Sequence, residues 1–199
     1  MRKIETIWHH LLWKAIEKKV FKHTQAEIAS YFDYSLSTVH HALATPSEIG
    51  AIRKETKFFV LENVEKLLYF WASLRNLERD IIYTTYVDNE VGEIEGLVPP
   101  EVIYGAYSAG RRLLGEPPAD YSKVYLYLKE EHLSKVKTRF PYNPDHPPNL
   151  FILKAPAFLS QYGPITTYPH TFVDIWNLRD WYSRDFTLAL EEKIHELLS

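Results

Sequence analysis

The sequence predicts an α+β chain, with a helical amino-terminal part followed by a small α+β domain. Three observations carry this expectation. Apolar residues recur at helical spacing through much of residues 1 to 76. From Ile81 the texture turns to branched and aromatic runs interrupted by prolines. The charge balance also reverses there: residues 1 to 76 carry 11 Lys+Arg against 8 Asp+Glu, a balance of +3, with five of the nine histidines, whereas residues 77 to 199 carry 12 against 18, a balance of −6. The expected units are therefore residues 1–80 and 81–199, and a polyanion should meet the first of them.

At 199 residues and 46% apolar content, the chain has enough apolar surface to offset the entropy of ordering it. No run approaches the roughly 20 apolar residues that cross a bilayer. The opening "MRKIETIWHH" lacks the apolar core of a signal peptide, so a cytoplasmic protein without membrane contact is expected. Zero cysteines exclude disulfides, thiolate metal sites and cysteine nucleophiles.

The first element is "IETIWHHLLWKAIEKKVF", where Ile4, Trp8, Leu11, Leu12, Ala15 and Ile16 form a helical stripe. His9 and His10 point in different directions as helix neighbours, which makes them poor joint metal ligands, and they are expected where the helix passes from core to solvent. "TQAE" then reads as a capping box: the Thr24 hydroxyl accepts from the third helical amide, and Glu27 reaches back to the Thr24 amide. Ile28, Ala29 and Phe32 share one face of the short helix that follows. Ser35 caps a second helix that turns Leu36, Val39 and Leu43 inward and ends at Pro46. Two short helices joined this tightly must cross at a wide angle.

These residues resemble a helix-turn-helix, and "SLSTVHHAL" is similar to many bacterial and archaeal regulators. Ala29 is the small residue where the helices approach, and Val39 the buried branched residue of the second. Asp33 stands where Gly is common, and Asp tolerates the left-handed turn better than most residues. The outward positions are then Ser37, Thr38, His40 and His41, with Thr45 as a further candidate, beside the Ser35 cap. Their hydroxyls and imidazoles suit phosphates and base edges. With neither Arg nor Lys among them, strong bidentate reading of guanine is not expected from this helix.

"GAIRKETKFFVLE" reads as strand, polar turn and strand, with Ala51 to Arg53 facing Lys57 to Leu61. Arg53, Lys54 and Lys57 put cations on that hairpin, which resembles the wing of a winged helix-turn-helix domain and could grip adjacent backbone or minor groove. The candidate DNA-binding residues are therefore Ser35, Ser37, Thr38, His40, His41, Arg53, Lys54 and Lys57. "NVEKLLYFWASLRNL" continues as an amphipathic helix through Val64, Leu67, Leu68, Trp71 and Leu74, which serves either the core or a homodimer seam.

In the second half, "IIYTTYV", "VYLYL" and "NLFILKA" read as strands, and "PPEVIYGAYSAGRRLLG" reads as a helix opened by prolines and closed by glycine. "TFVDIWNLRDWYSRDFTLALEEKIHELL" reads as helix, with Thr171 and Asp174 as its capping pair and a break near Trp181. The small residues of "IYGAYSAGRRLLG", the strand "KVYLYL" and the aspartate of "TFVDIWNL" resemble the carboxy-terminal domain of antitoxins from type IV (abortive-infection) toxin-antitoxin systems. That resemblance implies a repressor of its own operon that also counters a nucleotidyltransferase-like toxin. It brings no catalytic residue.

No Gly-Ser turn with spaced aspartates, Walker loop, GxGxxG, HExxH or GxSxG occurs, so no catalytic residue, metal or cofactor is expected. Asp88, Glu90, Glu93 and Glu95 are read as the solvated face of a strand. Arg111 and Arg112 either clamp an anion or compensate a helix end. "FPYNPDHPPN" is read as a surface loop. The expectation is a DNA-binding transcriptional regulator, a repressor acting on double-stranded DNA as a homodimer. The alternative is an antitoxin whose main task is to hold a toxin protein.

Overall fold

Helical periodicity in the first half becomes four helices in the structure, a computed structural model that describes residues 1–199. They are α1 (Lys3–Lys18), α2 (Gln25–Phe32), α3 (Leu36–Glu48) and α4 (Val64–Leu74). Three short strands, β1 (Lys22–His23), β2 (Ile52–Lys54) and β3 (Phe59–Leu61), form an antiparallel sheet in the order β1-β3-β2. The hairpin register pairs Ile52 with Leu61 and Lys54 with Phe59, so Ile52, Phe59 and Leu61 face the core.

The stripes bury as amphipathicity requires, with differences at their edges. Trp8, Leu11, Leu12, Ala15 and Ile16 of α1 are buried, as are Val64, Leu67, Leu68 and Trp71 of α4, but Leu74 in the last turn is exposed. His9 and His10 do not sit at a helix boundary: both are buried in the middle of α1. Leu36 is 57% exposed, unlike Val39 and Leu43. As the first residue of α3 its side chain leans back past the helix end, beyond the core that Val39 reaches. Pro46 lies inside α3 rather than ending it, and its carbonyl accepts from the Ala51 amide at 2.8 Å, fastening α3 to the hairpin.

The second half is α+β as expected. Strands β4 (Ile81–Thr85), β5 (Ile103–Gly105), β6 (Val124–Leu128) and β7 (Leu150–Lys154) form a mixed sheet in the order β4-β7-β6-β5, with β6 and β7 parallel. All five residues of β6 are buried because both faces of the sheet are covered. Tyr125 and Tyr127 enter the larger core with α6 (Ala106–Leu114), α8 (Tyr168–Trp176) and α9 (Ser183–Leu198). Val124, Leu126 and Leu128 enter a smaller core with Ile94 of α5 (Val91–Leu97) and Val136 of α7 (Leu133–Arg139).

Three readings of this half change. Residues 103–105 are strand, so the helix of "IYGAYSAGRRLLG" begins only at Ala106; Gly110 lets α9 come close, since a Cβ there would stand 2.8 Å from the Phe186 ring. The acidic run is solvated at Asp88, Glu90 and Glu93 as expected, but it is not a strand, and Glu95 is buried on α5, where it accepts from Arg112 at 2.7 Å and from the Tyr121 hydroxyl at 2.7 Å. That contact assigns Arg112 to internal charge pairing. The cap of α8 is Thr167, which accepts from the His170 amide, whereas Thr171 and Asp174 are buried within the helix. The chain does break near Trp181, between α8 and α9.

A single cluster of 35 buried apolar residues runs from Ile7 to Ile194 and joins α1, α3 and α4 to α6, α8 and α9. No helix is long and apolar enough to cross a membrane.

Candidate nucleic-acid interface

The local chemistry around Asp33 builds the surface of interest. Thr24 accepts from the Glu27 amide at 3.1 Å and starts α2. The Glu27 carboxylate, instead of reaching the Thr24 amide, takes the His23 ring at 2.9 Å and the Thr24 hydroxyl at 3.3 Å. Asp33 ends α2 in the left-handed region, φ 53° and ψ 47°, and the Tyr34 amide then donates back to the Ala29 carbonyl at 2.9 Å. Ser35 caps α3 by accepting from the Thr38 amide at 3.2 Å.

The sequence-selected residues come together here. Ser35, Ser37, His40 and His41 are exposed, Thr38 is half-buried, and Val39, Ala42 and Leu43 are buried behind them. The Ser35 hydroxyl lies 2.9 Å from both the Ser37 and the Thr38 hydroxyls, so three hydroxyls form one chain at the positive end of the α3 dipole. The exposed Leu36 adds an apolar group to this polar row.

The hairpin beside α3 is less uniformly cationic than its sequence suggests. Arg53 donates to Glu62 at 2.5 Å and is also paired with Glu55, so its charge is matched within the hairpin. Lys54 and Lys57 are exposed and belong to no ion pair. The tip is closed by the Glu55 amide donating to the Phe58 carbonyl at 2.8 Å. Lys22 joins them from β1, its ammonium 3.9 Å from the centre of the Phe58 ring. Sequence reasoning missed Lys22 because a two-residue strand has no periodicity to detect.

The second half buttresses α2 without covering the outward row of α3. The Tyr31 hydroxyl donates to Gln161 at 3.0 Å, Phe32 meets Phe158 edge-on, and His10 hydrogen-bonds the Tyr162 hydroxyl at 2.9 Å.

Behind this frame lies a polar cluster that the sequence did not reveal. Arg75, buried at the end of α4, donates to Asp174 of α8 at 3.1 Å, to Asp80 at 2.5 Å and to the Tyr127 hydroxyl of β6 at 3.0 Å. Tyr127 in turn donates to Asp174 at 2.5 Å, and His170 hydrogen-bonds Tyr127 at 3.1 Å. Burial pushes the His9 and His170 rings well below the usual histidine range, with Arg75 adding to the effect on His170. The cluster reads as an internal clasp between the two halves. No family model, curated protein or solved structure matches the chain.

Proposed function

We propose that the chain is a DNA-binding transcriptional regulator that reads duplex through a winged helix-turn-helix and represses by occupying a promoter. The observation that carries this reading is the capped amino end of α3, where Ser35, Ser37, Thr38, His40 and His41 stay uncovered while Val39 and Leu43 are buried. In the major groove, hydroxyls and imidazoles meet phosphates and base edges, and Leu36 can meet a thymine methyl. The cations at work are Lys54 and Lys57 of the hairpin with Lys22 of the adjacent β1, rather than Arg53. A homodimer belongs to the proposal, since two-fold pairing would match half-sites one helical turn apart.

The test is duplex binding followed by fluorescence anisotropy across a salt series. Replacing Lys22, Lys54 and Lys57 by Ala should flatten the slope of log K against log salt by up to about 2.7, since each neutralised phosphate contributes about 0.9. Arg53→Ala should change it far less, because Glu55 and Glu62 already match that charge. An unchanged slope in the triple variant removes the hairpin from the interface.

A second reading, an antitoxin-like module that holds a partner protein, is favoured by the aromatic surface of the second half. Trp181 is 77% exposed and Trp176 48% exposed, and exposed aromatics are enriched where proteins meet. A stoichiometric protein partner retained by the chain, with no retention of duplex, would support this reading over the first.

A further inference from the structure

We propose that Glu65, Glu191 and His195 form a binding site for a divalent transition metal of the zinc class, clipping α9 to α4. Glu191 and His195 are four residues apart on α9 and share one face of it. Glu65, in the first turn of α4, stands opposite, and one ligand atom from each residue can be chosen so that all three lie within 4.8 Å of one another. Zinc with oxygen and nitrogen ligands at about 2.1 Å needs its ligand atoms about 3.4 Å apart in a tetrahedron. Rotamer adjustment of side chains that are at least partly exposed closes that difference.

The charge arrangement points the same way. Two carboxylates are brought together across a helix-helix seam, and neither takes part in any ion pair of the fold. The buried carboxylates Glu95 and Asp174, by contrast, are each paired, with Arg112 and Arg75. With no cation of the protein between them, the Glu65 and Glu191 carboxylates are left free to take one from solution. The Glu191 carboxylate is also held in place, because Tyr69, one turn beyond Glu65 on α4, donates its hydroxyl to it. An outer hydrogen bond of this kind is how proteins orient a ligating carboxylate.

Donor chemistry selects the metal. One imidazole with two carboxylates suits zinc and its first-row neighbours, whereas magnesium prefers oxygen ligands alone and keeps its waters. Three protein ligands leave at least one position for water. Through Asn63 and Glu62, α4 is continuous with strand β3 of the hairpin, so metal at this seam ties the last helix to the element that carries the hairpin cations.

The full chain titrated with zinc chloride tests this, by calorimetry and by thermal melting, with magnesium chloride as control. Zinc should bind at one per chain and raise the melting temperature, while magnesium should do neither. Glu65→Gln, Glu191→Gln and His195→Ala should each weaken zinc at least about 10-fold, and Tyr69→Phe by a smaller factor. The substituted ligands lie at or near the surface, so melts without metal should match the parent chain. Absence of saturable zinc binding overturns the site. Equal binding by the parent and the three ligand variants also overturns it, because the zinc then sits elsewhere on the chain.

Discussion

Arg75 shows how much a single residue can carry. Its guanidinium is buried and hydrogen-bonded to Asp174, Asp80 and Tyr127, from three separate parts of the chain. Removing one member of a buried charge cluster strands the others, which typically costs about 3–5 kcal/mol. Arg75→Ala should therefore destabilise the protein by about that amount in urea unfolding. The double variant Arg75→Met with Asp174→Leu should lose less than the sum of its parts, and strict additivity would show that the pair is not coupled. In the sequence, Arg75 falls outside the apolar stripe of "NVEKLLYFWASLRNL", and nothing local marks it as buried. Its partners lie five, 52 and 99 residues away, and no periodicity spans such distances.

Among the elements, the α2–α3 corner was legible because its determinants are local. Thr24, Asp33 and Ser35 act on amides within a few residues of themselves, so capping and turn chemistry appear directly in the letters. The left-handed region that Asp33 occupies costs an ordinary L-residue about 1–2 kcal/mol, and Asp less than most because its short side chain can hydrogen-bond locally. Asp33→Gly should raise stability by about 0.5–1 kcal/mol, and a β-branched residue at the same position, Asp33→Val, should lower it by about 1–2 kcal/mol. Thermal melts that rank Val with Gly would mean the corner does not depend on this conformation. The edges of elements were less legible. Leu36 and Leu74 fit their apolar stripes by spacing but extend beyond the core that covers the middle of each helix. Glu95 reads as a surface acid until α5 folds against Arg112 and Tyr121.

At the scale of the whole molecule, α1 packs against α3 and α4 on one side and against α8 and α9 on the other, and the histidines of α1 are buried where these meet. Burial favours the neutral imidazole: His9 and His170 are pushed well below the usual range, and His10 is pushed down to about 3, mainly by burial and then by Lys14 and His23. The unfolded chain, with imidazoles near about 6.5, takes up these protons first as pH falls. Their contribution is therefore complete above about pH 6.5 and is lost progressively below it, by about 2 kcal/mol at pH 5 for each such histidine acting alone. Asp174, raised by burial despite Arg75 and Tyr127, and Glu17, raised mainly by burial, act in the opposite direction, but they are two groups against three. Urea midpoints should fall steeply between pH 7 and 5, and a flat profile would show that the histidines are accessible in the folded state. The sequence by itself determined the α+β class, the order of most elements, and the capped corner with its outward hydroxyls and imidazoles, because these depend on contacts within a turn or on simple periodicity. Tertiary structure alone decided which charges are buried, as with Arg75 and Asp174 or Glu95, and which are brought together at the surface, as with Arg53 and Glu62 or Glu65 with Glu191 and His195. Pairing and desolvation are properties of neighbours in space, and the chain brings those neighbours together only when it folds.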